Sequence, residues 1–192
     1  MNVVAILLAA GSATRFGSDK LLHPLPHGVP IAAQSARHLR TVISKIYAVM
    51  DSRAEKLSSL LRAEGCEIVV CDNAFEGMGV SLASAARAAK GADGCLVALA
   101  DMPFVRPSTI EAVRDALAVG KPLVAPYYRA RRGHPVGIAA KFFAELEALS
   151  GDEGAKKLLA AHEAEILKIP VGDPGVIRDI DRPEDLAPPI VV

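Results

Sequence analysis

The sequence predicts an α/β fold, a three-layer sandwich in which a mainly parallel sheet lies between two layers of helices. Short runs of apolar and β-branched residues alternate with stretches of helical apolar spacing, which is the pattern of repeated strand–helix–strand units. The strand candidates are apolar at nearly every position, so both of their faces should be buried, as in parallel sheets. A chain of 192 residues has the length of one domain, and we expect residues 1–192 to form a single unit.

The elements of the first two thirds of the chain follow from local patterns. Predicted strands are uninterrupted apolar runs, whereas predicted helices carry apolar residues three or four positions apart. Pro107 and Ser108 mark the start of the last of these helices, because proline and serine are favoured where helices begin. The predicted strands are residues 3–9, 45–50, 68–71, 95–99 and 123–125, and the predicted helices are residues 31–39, 54–64, 80–88 and 109–119.

After Pro126 the rhythm of the sequence changes. Residues 127–133 are polar and basic, residues 134–139 have the composition of another strand, and helical patterns begin at Lys141 and Gly154. In open sheets of this kind, ligands bind beyond the carboxyl ends of the strands. Functional residues are therefore expected in the segments that directly follow the strands.

Charge and cysteine content narrow the functional classes. Lys plus Arg (22) balance Asp plus Glu (22), so the basic excess typical of a nucleic-acid surface is missing, and any phosphate handled here should belong to a small molecule. The three cysteines lack Cys-x-x-Cys spacing, which favours a reducing compartment over disulfides or zinc. The apolar segment 3–9 is too short for a membrane span and lacks a basic flank. We therefore expect a cytoplasmic protein with no membrane or nucleic-acid partner.

A glycine-rich loop that carries two cations follows the first predicted strand. Small residues let backbone N–H groups approach an anion, and Arg15 and Lys20 can supply charge against a triphosphate. The loop is not a P-loop, because Lys20 does not directly follow Gly17, and Ser-Ala after Gly11 breaks the dinucleotide fingerprint. A strand-to-helix turn with solvated cations is the alternative. The position at the ligand-binding edge favours a phosphate site.

Two acidic segments follow apolar runs. Asp101 comes just after predicted strand 95–99, where a lone charge needs a partner such as Mg²⁺, a hard cation that carboxylates hold. On spacing alone, an aspartate that caps a helix or a turn explains Asp101 equally well. Asp179 and Asp181 alternate along an extended segment, so both should point to one side. Asp181 could bind a metal with Asp179 in support, or the segment could cap a short helix at Pro183.

Two further segments are candidates for ligand contacts. Residues 75–82 follow the third predicted strand and open a helix, so unpaired backbone N–H and C=O groups there would suit a flat nucleobase. Ser81 could instead simply cap that helix. Residues 129–137 form a basic turn around His134, and such a turn is by itself more often solvated than a binding site.

These segments together resemble the nucleotidyltransferases of the molybdenum-cofactor group. The stretch from Leu8 to Lys20 has the family form Leu-Ala-Ala-Gly, three residues, Arg-x-Gly-x-x-Lys, and Asp101 lies in a family-like Leu-x-Asp-x-Pro setting. Gly-Met-x-x-Ser-Leu, Gly-His-Pro-Val and Asp-x-Asp-x-Pro-Glu-Asp segments extend the resemblance to Leu186. The cytidylyltransferase branch is the more similar one, since guanylyltransferase relatives usually carry glycine where this chain has Ala10.

The resemblance implies a Rossmann-like sheet of the nucleotidyltransferase, or glycosyltransferase A-like, type. It implies Mg²⁺-dependent transfer of CMP from CTP to the phosphate of molybdenum-bound molybdopterin, with release of pyrophosphate, and a transient molybdoenzyme partner. The implied catalytic residues are Arg15, Lys20 and Asp101, and the implied metal ligands are Asp101 and Asp181. The implied nucleotide-binding residues are Leu8, Ala9, Ala10, Gly11, Arg15, Lys20, Gly79, Ser81 and Leu82, and the implied acceptor-binding residues are His134 and Lys156.

The chain departs from the family pattern at several positions. Ala13 stands where relatives often have a small hydroxyl residue or glycine, Gly79 replaces a usual serine, and Arg182 replaces a usual threonine. Lys156 replaces arginine and so lacks the planar fork that grips phosphate. Both the basic turn at His134 and the segment ending at Lys156 are expected on the molybdopterin side. GTP as donor, another acceptor phosphate, and a noncatalytic carrier or insertion chaperone for a pterin nucleotide are the alternatives.

Overall fold

The computed structural model describes residues 1–10 and 19–187. The predicted phosphate-loop residues Gly11 and Arg15 lie outside the described residues. The strands are β1 Val3–Leu8, β2 Ile46–Met50, β3 Glu67–Val70, β4 Gly94–Leu99, β5 Leu123–Tyr128, β6 Arg131–Arg132, β7 Val136–Ala139 and β8 Ile166–Pro170. The helices are α1 Ile31–Arg40, α2 Glu55–Ala63, α3 Met78–Ala88, α4 Pro107–Ala118, α5 Phe143–Glu147 and α6 Lys156–Ala161.

The strands join into one mainly parallel sheet, as predicted. Along one path the strand order is β3-β2-β1-β4-β7-β5-β6, and β8 pairs in parallel with the other edge of β5. The pairs β1–β2, β1–β4 and β2–β3 are parallel, whereas β7 is antiparallel to both β4 and β5. The sheet therefore has a purely parallel half, β3-β2-β1-β4, and a mixed half built from β5 to β8.

Alternate residues of the central strands face opposite helical layers. In β1, Ala5 and Leu7 pack with α1, α2 and α4, whereas Val4 and Ile6 pack with α3, α5 and α6. All four side chains are at most 2% exposed. The period-2 alternation of a strand thus divides the core into two apolar layers, which confirms the predicted sandwich.

The sequence pattern does not predict β6 or β8. Only two residues of β6 pair with β5, so the strand is too short to show a periodic pattern in the sequence. In β8, Leu167 and Lys168 are exposed and the strand ends at Pro170, which is typical of an edge strand and not of a buried apolar run. Among the described residues, no helix is both long and apolar enough to cross a membrane.

A buried carboxylate fastens the C-terminal segment to the edge of the sheet. Asp173, only 3% exposed, accepts hydrogen bonds from the Arg106 backbone N–H (2.9 Å), the Thr109 hydroxyl (2.8 Å) and the Gly175 N–H (3.0 Å). A Cβ on Gly175 would collide with the backbone carbonyl of Phe104, so the two segments touch closely there. These contacts hold residues 173–181 beside the loop that follows β4.

Candidate active site

Lys20 and two aspartates meet at the carboxyl edge of the parallel half. The ammonium Nζ of Lys20 donates to Oδ2 of Asp101 at 2.9 Å and to Oδ1 of Asp181 at 3.2 Å. The Lys20 side chain is 12% exposed, compared with 24% for Asp101 and 48% for Asp181. The Lys20 pKa is raised because the two carboxylates outweigh the lowering effect of burial, which is the largest single influence. Residues 161 positions apart thus form one charged cluster.

Asp179 completes a triplet of carboxylates. One oxygen each from Asp101, Asp179 and Asp181 lies within 4.8 Å of the others, a spacing that one metal ion could bridge. Desolvation, followed by repulsion from the other two carboxylates, raises the pKa of Asp179. Three hard oxygen donors at a ligand-binding edge fit a divalent cation such as Mg²⁺ or Mn²⁺.

Backbone pairing places these carboxylates side by side. The Ala100 N–H donates to the Leu8 carbonyl (3.0 Å), which aligns the end of β4 with the end of β1. The Ile180 N–H donates to the Asp101 carbonyl at 2.9 Å, and the Ile180 side chain is fully buried. Because successive side chains of an extended segment alternate, burial of Ile180 turns Asp179 and Asp181 away from the core.

The C-terminal turn predicted as an alternative role for this segment is also present. A short 3-10 helix spans Pro183–Leu186, and the carboxylate of Asp185 accepts the backbone N–H groups of Asp181 (3.2 Å) and Arg182 (3.0 Å). The capping carboxylate is therefore Asp185. The side chain of Asp181 is left to bind Lys20.

A cavity of about 420 Å³ opens over this cluster. Its floor includes the end of β1, where Leu8, Ala9 and Ala10 were predicted to bind the nucleotide. Lys20, Asp101 and Asp181 also line it. Leu21 and Leu99 also line the cavity. The remaining wall comes from the segment around the start of α3, together with one residue of the loop before α6: Ala74, Phe75, Gly77, Met78, Ser81 and Asp152.

Three predicted base-binding residues have different positions. Ser81 lines the cavity, is 1% exposed, and its hydroxyl has no hydrogen-bond partner among the described residues. Leu82 is fully buried in the core, because it faces the sheet and not the cavity. Gly79 does not line the cavity either; a Cβ there would lie 2.7 Å from the carbonyl oxygens of Ser150 and Gly151, so glycine permits close packing.

The segment that ends at Lys156, residues 151–156, begins beside the start of α3. Its residues Gly151 and Asp152 pack on Gly77 at the start of α3, and Asp152 shares the cavity wall with Ser81. Asp152 therefore lines the large cavity, and the expected contact of this segment with the acceptor stays a prediction. Lys156 itself is exposed at the beginning of α6.

His134 does not line the large cavity. It borders a much smaller one with Ser35, His38 and Met102, and its Nδ1 lies 3.4 Å from the Val97 carbonyl oxygen. Burial lowers the pKa of His134, which favours the neutral imidazole at neutral pH. The geometry thus places His134 behind the end of β4, against the backbone.

Comparison with known proteins identifies the family. Residues 5–166 match the model of the MobA-like NTP transferase domain, and this range includes most of the cavity wall. The chain belongs to this family. It is therefore a nucleotidyltransferase, and the match covers β1 through the first residue of β8.

Several relatives of MobA-like type cover nearly the whole chain. The purine catabolism protein PucB of Bacillus subtilis is 29% identical over 95% of this chain and 93% of its own length. The crystal structure of Rv0371c from Mycobacterium tuberculosis is 25% identical, has a TM-score of 0.83, and covers 96% of this chain and 94% of its own; a manganese complex of Rv0371c is also known. Molybdopterin-guanine dinucleotide biosynthesis protein A from Archaeoglobus fulgidus shares the fold, at 22% identity, a TM-score of 0.69, and coverage of 95% and 94%.

Sequence patterns did not identify two residues whose roles the structure of this MobA-like site indicates. Asp152 belongs to a segment that sequence resemblance assigns to another ligand, and only the packing of glycines on Ser150–Asp152 backbone reveals its position. Asp173 is an isolated acidic residue near the C-terminus of the chain. The Gly-Asp-Pro-Gly sequence at 172–175 predicts a turn. It does not predict the three hydrogen bonds that Asp173 accepts, because two of the donors lie more than 60 positions away and only Gly175 is local.

Proposed function

We propose that this chain transfers CMP from CTP to the phosphate of a small-molecule acceptor, molybdenum-bound molybdopterin, in the cytoplasm. The observation that carries the proposal is the cluster of Lys20 with Asp101 and Asp181 at one end of a 420 Å³ cavity, in a chain of the MobA-like family. A transient molybdoenzyme partner that receives the product completes the proposal.

The proposed reaction is a displacement at phosphorus. An anionic oxygen of the acceptor phosphate forms a bond to the α-phosphorus of CTP as the bond to the β-phosphate oxygen breaks, and pyrophosphate leaves. The nucleophile is already deprotonated, so the site needs no general base. Its tasks are to position two anions and to stabilise the charge on the leaving group, which Lys20 and the predicted partner Arg15 would do.

Asp101 and Asp181 would hold a divalent ion, for which we propose Mg²⁺. When bound, such an ion neutralises charge on phosphate oxygens and polarises the reacting phosphorus. Support comes from the oxygen-only donor set, from the third carboxylate of Asp179, and from the manganese complex of Rv0371c. Lys20 would interact with the phosphates as well as with the carboxylates that it contacts in the structure.

Choice of CTP over GTP is assigned to Ala10, which lines the cavity at the end of β1. If the base lies against this backbone, the methyl group occupies space that a two-ring purine requires. A methyl-sized change of shape is worth about 1–3 kcal/mol, so Ala10→Gly should relax the preference for CTP without necessarily reversing it.

The measurement is kcat/KM for CTP and GTP in the wild type and in Ala10→Gly. We expect the CTP-to-GTP ratio to fall by about tenfold in the variant. A wild type that prefers GTP would contradict the donor assignment, and an unchanged ratio would remove Ala10 from it.

The function as a whole is tested by pyrophosphate release with four NTPs, each offered with molybdopterin, a sugar phosphate or no acceptor. Release that requires CTP, molybdopterin and Mg²⁺ supports the proposal. Release with another acceptor redefines the substrate, and binding of a pterin nucleotide without any pyrophosphate release indicates a carrier instead.

A further inference from the structure

One carboxylate of the cavity has no place in the metal cluster. Asp152 lines the wall beside the start of α3, and it has no hydrogen bond or ion pair to any other described residue. Asp101 and Asp181 already contact Lys20. Asp152 is exposed, and because its carboxylate has no partner among the described residues, its oxygens can accept hydrogen bonds from a ligand in the cavity.

The position of Asp152 is set by close packing. An ideal Cβ on Gly77 would lie 2.5 Å from Oδ1 of Asp152, so the carboxylate lies directly against Gly77. Glycine at 77 has a φ of +126°, which side-chain-bearing residues rarely adopt. Gly77 therefore serves as the surface on which the loop carrying Asp152 rests.

A second polar group, one helical turn after Gly77, also has no partner among the described residues. The Ser81 N–H donates to the Gly77 carbonyl at 3.4 Å, so Ser81 and Asp152 both adjoin Gly77. The Ser81 hydroxyl is buried, lines the cavity and is unpaired among the described residues. A buried hydroxyl without a partner costs about 1–3 kcal/mol, which a ligand contact would offset.

Two exposed apolar side chains lie in the same cavity wall as Ser81 and Asp152. Phe75 is 74% exposed and Met78 is 45% exposed, although large apolar side chains are usually covered, and both line the same wall. Exposed aromatic and thioether surface suits the flat face of a base, with its polar edge directed at a few fixed groups. This combination favours a base over ribose as the partner of Asp152.

We infer that Asp152, with Ser81, reads the hydrogen-bonding edge of a nucleobase that carries an exocyclic amino group. The inference rests on the proposed function, in which the cavity takes CTP. The carboxylate accepts a hydrogen bond from the 4-amino group of cytosine, and the Ser81 hydroxyl donates to an adjacent ring acceptor. Uracil presents a carbonyl oxygen in place of the amino group, and Asp152 repels it.

Equilibrium binding without an acceptor tests this assignment separately from turnover. CTP, UTP and 2′,3′-dideoxy-CTP are titrated in Mg²⁺ into the wild type, Asp152→Asn and Ser81→Ala. Glu76→Gln is the matched control, because Glu76 is an exposed carboxylate on the neighbouring turn that does not line the cavity. Circular dichroism confirms that each variant is folded.

The CTP-to-UTP affinity ratio should fall by about tenfold or more in Asp152→Asn, since asparagine can also donate to a carbonyl oxygen. It should fall less in Ser81→Ala and stay within about twofold in Glu76→Gln. An unchanged ratio in Asp152→Asn, or a change confined to CTP against dideoxy-CTP, overturns the inference; the latter would place ribose at Asp152. A wild type that shows the expected ratios but releases no pyrophosphate would contradict the proposed function and leave the inference standing.

Discussion

The two halves of the sheet contribute to the candidate site in different ways. In the parallel half, β1 and β4 end at Leu8 and Leu99, and the residues just beyond them form the cavity floor and the Asp101 carboxylate. The mixed half places none of its strand residues in the cavity wall, considering the described residues. It acts through the loops around it, which deliver Asp152 and Asp181.

The two carboxylates of the site are positioned in different ways, one by local structure and the other by long-range contacts. A parallel strand that is buried on both faces determines where its own C-terminal residue lies, so Asp101 is placed by its own strand. Asp181 is brought to the site by residues 173–181, here called the returning chain, which Asp173 and Ile180 help to attach to the loop after β4. One side of the carboxylate cluster therefore depends on the sheet, and the other depends on tertiary hydrogen bonds.

The largest effect is expected from the carboxylates themselves. Asp101→Asn keeps the shape but removes the charge, and turnover should fall by about 10² or more while the fold persists. Asp181→Asn should have a similar effect and raise the Mg²⁺ concentration needed, whereas Asp179→Asn should do less. Steady-state kinetics across a magnesium titration measure all three. Near-normal turnover in Asp101→Asn would remove it from the mechanism, and a stronger effect of Asp179→Asn than of Asp181→Asn would exchange their roles.

Removing the attachment of the returning chain should affect stability. Asp173→Ala leaves three hydrogen-bond donors without their acceptor, two of them on loop backbone, and should lower the free energy of unfolding by about 2–4 kcal/mol. Urea denaturation measures this change. Asp72→Ala is the control, because Asp72 is an exposed carboxylate in a turn. A loss below about 0.5 kcal/mol would show that the returning chain is held by other contacts.

Glycine at 79 should matter through packing alone. A Cβ there would meet the carbonyl oxygens of Ser150 and Gly151 at 2.7 Å, and both are backbone atoms that cannot rotate away. Gly79→Ala should therefore cost about 1–3 kcal/mol of stability and displace the loop that carries Asp152. Gly172→Ala is the matched control, since its Cβ would have no neighbour within 4 Å. Equal unfolding free energies for the two variants would contradict the packing role.

The parallel half could be predicted from sequence, and the reason is local. Runs such as residues 3–9 and 95–99 are buried on both faces, so composition alone identifies them, and the observed strands β1 and β4 differ from the predicted ends by one residue. The candidate carboxylates lie just past a strand or in an alternating segment, but spacing alone explained Asp101 equally well as a cap, and only the family resemblance favoured a metal ligand. The small-residue loop with its two cations indicated Lys20, whereas Ala10 was assigned only by the family resemblance.

The mixed half could be predicted only in part. Its edge strand β8 exposes the consecutive residues Leu167 and Lys168 and so lacks a strand-like apolar pattern. The position of β7 between β4 and β5 depends on long-range pairing that local sequence patterns do not predict. Because long-range packing cannot be predicted from local patterns, the positions of the candidate acceptor residues could not be predicted either. His134 lies against the Val97 carbonyl and outside the large cavity, whereas Asp152, from a segment that the resemblance assigned to the acceptor, lines that cavity.

The smallest effect should arise in the hairpin that joins β5 to β6. Tyr128 pairs with Arg131, so a two-residue turn remains, and its residues Arg129 and Ala130 have φ values of 47° and 63°. Turns of this kind favour Asn or Gly, because a Cβ at positive φ costs about 1–2 kcal/mol. Ala130→Gly removes that strain but increases the freedom of the unfolded chain, so the net stabilisation should be about 0.5–1 kcal/mol.

For a chain of this size, that gain corresponds to a Tm increase of about 1–4 °C, measurable by calorimetry. Ala112→Gly is the opposite control, because Ala112 lies in the middle of α4, where glycine should lower stability by about 1 kcal/mol. Turnover should not change in Ala130→Gly if the hairpin serves only the fold. A stabilised variant whose KM for the acceptor rises would instead mean that the strained turn holds Arg129 in place for the acceptor, and that the mixed half contributes to binding directly. A lower Tm in Ala130→Gly would contradict the strain itself.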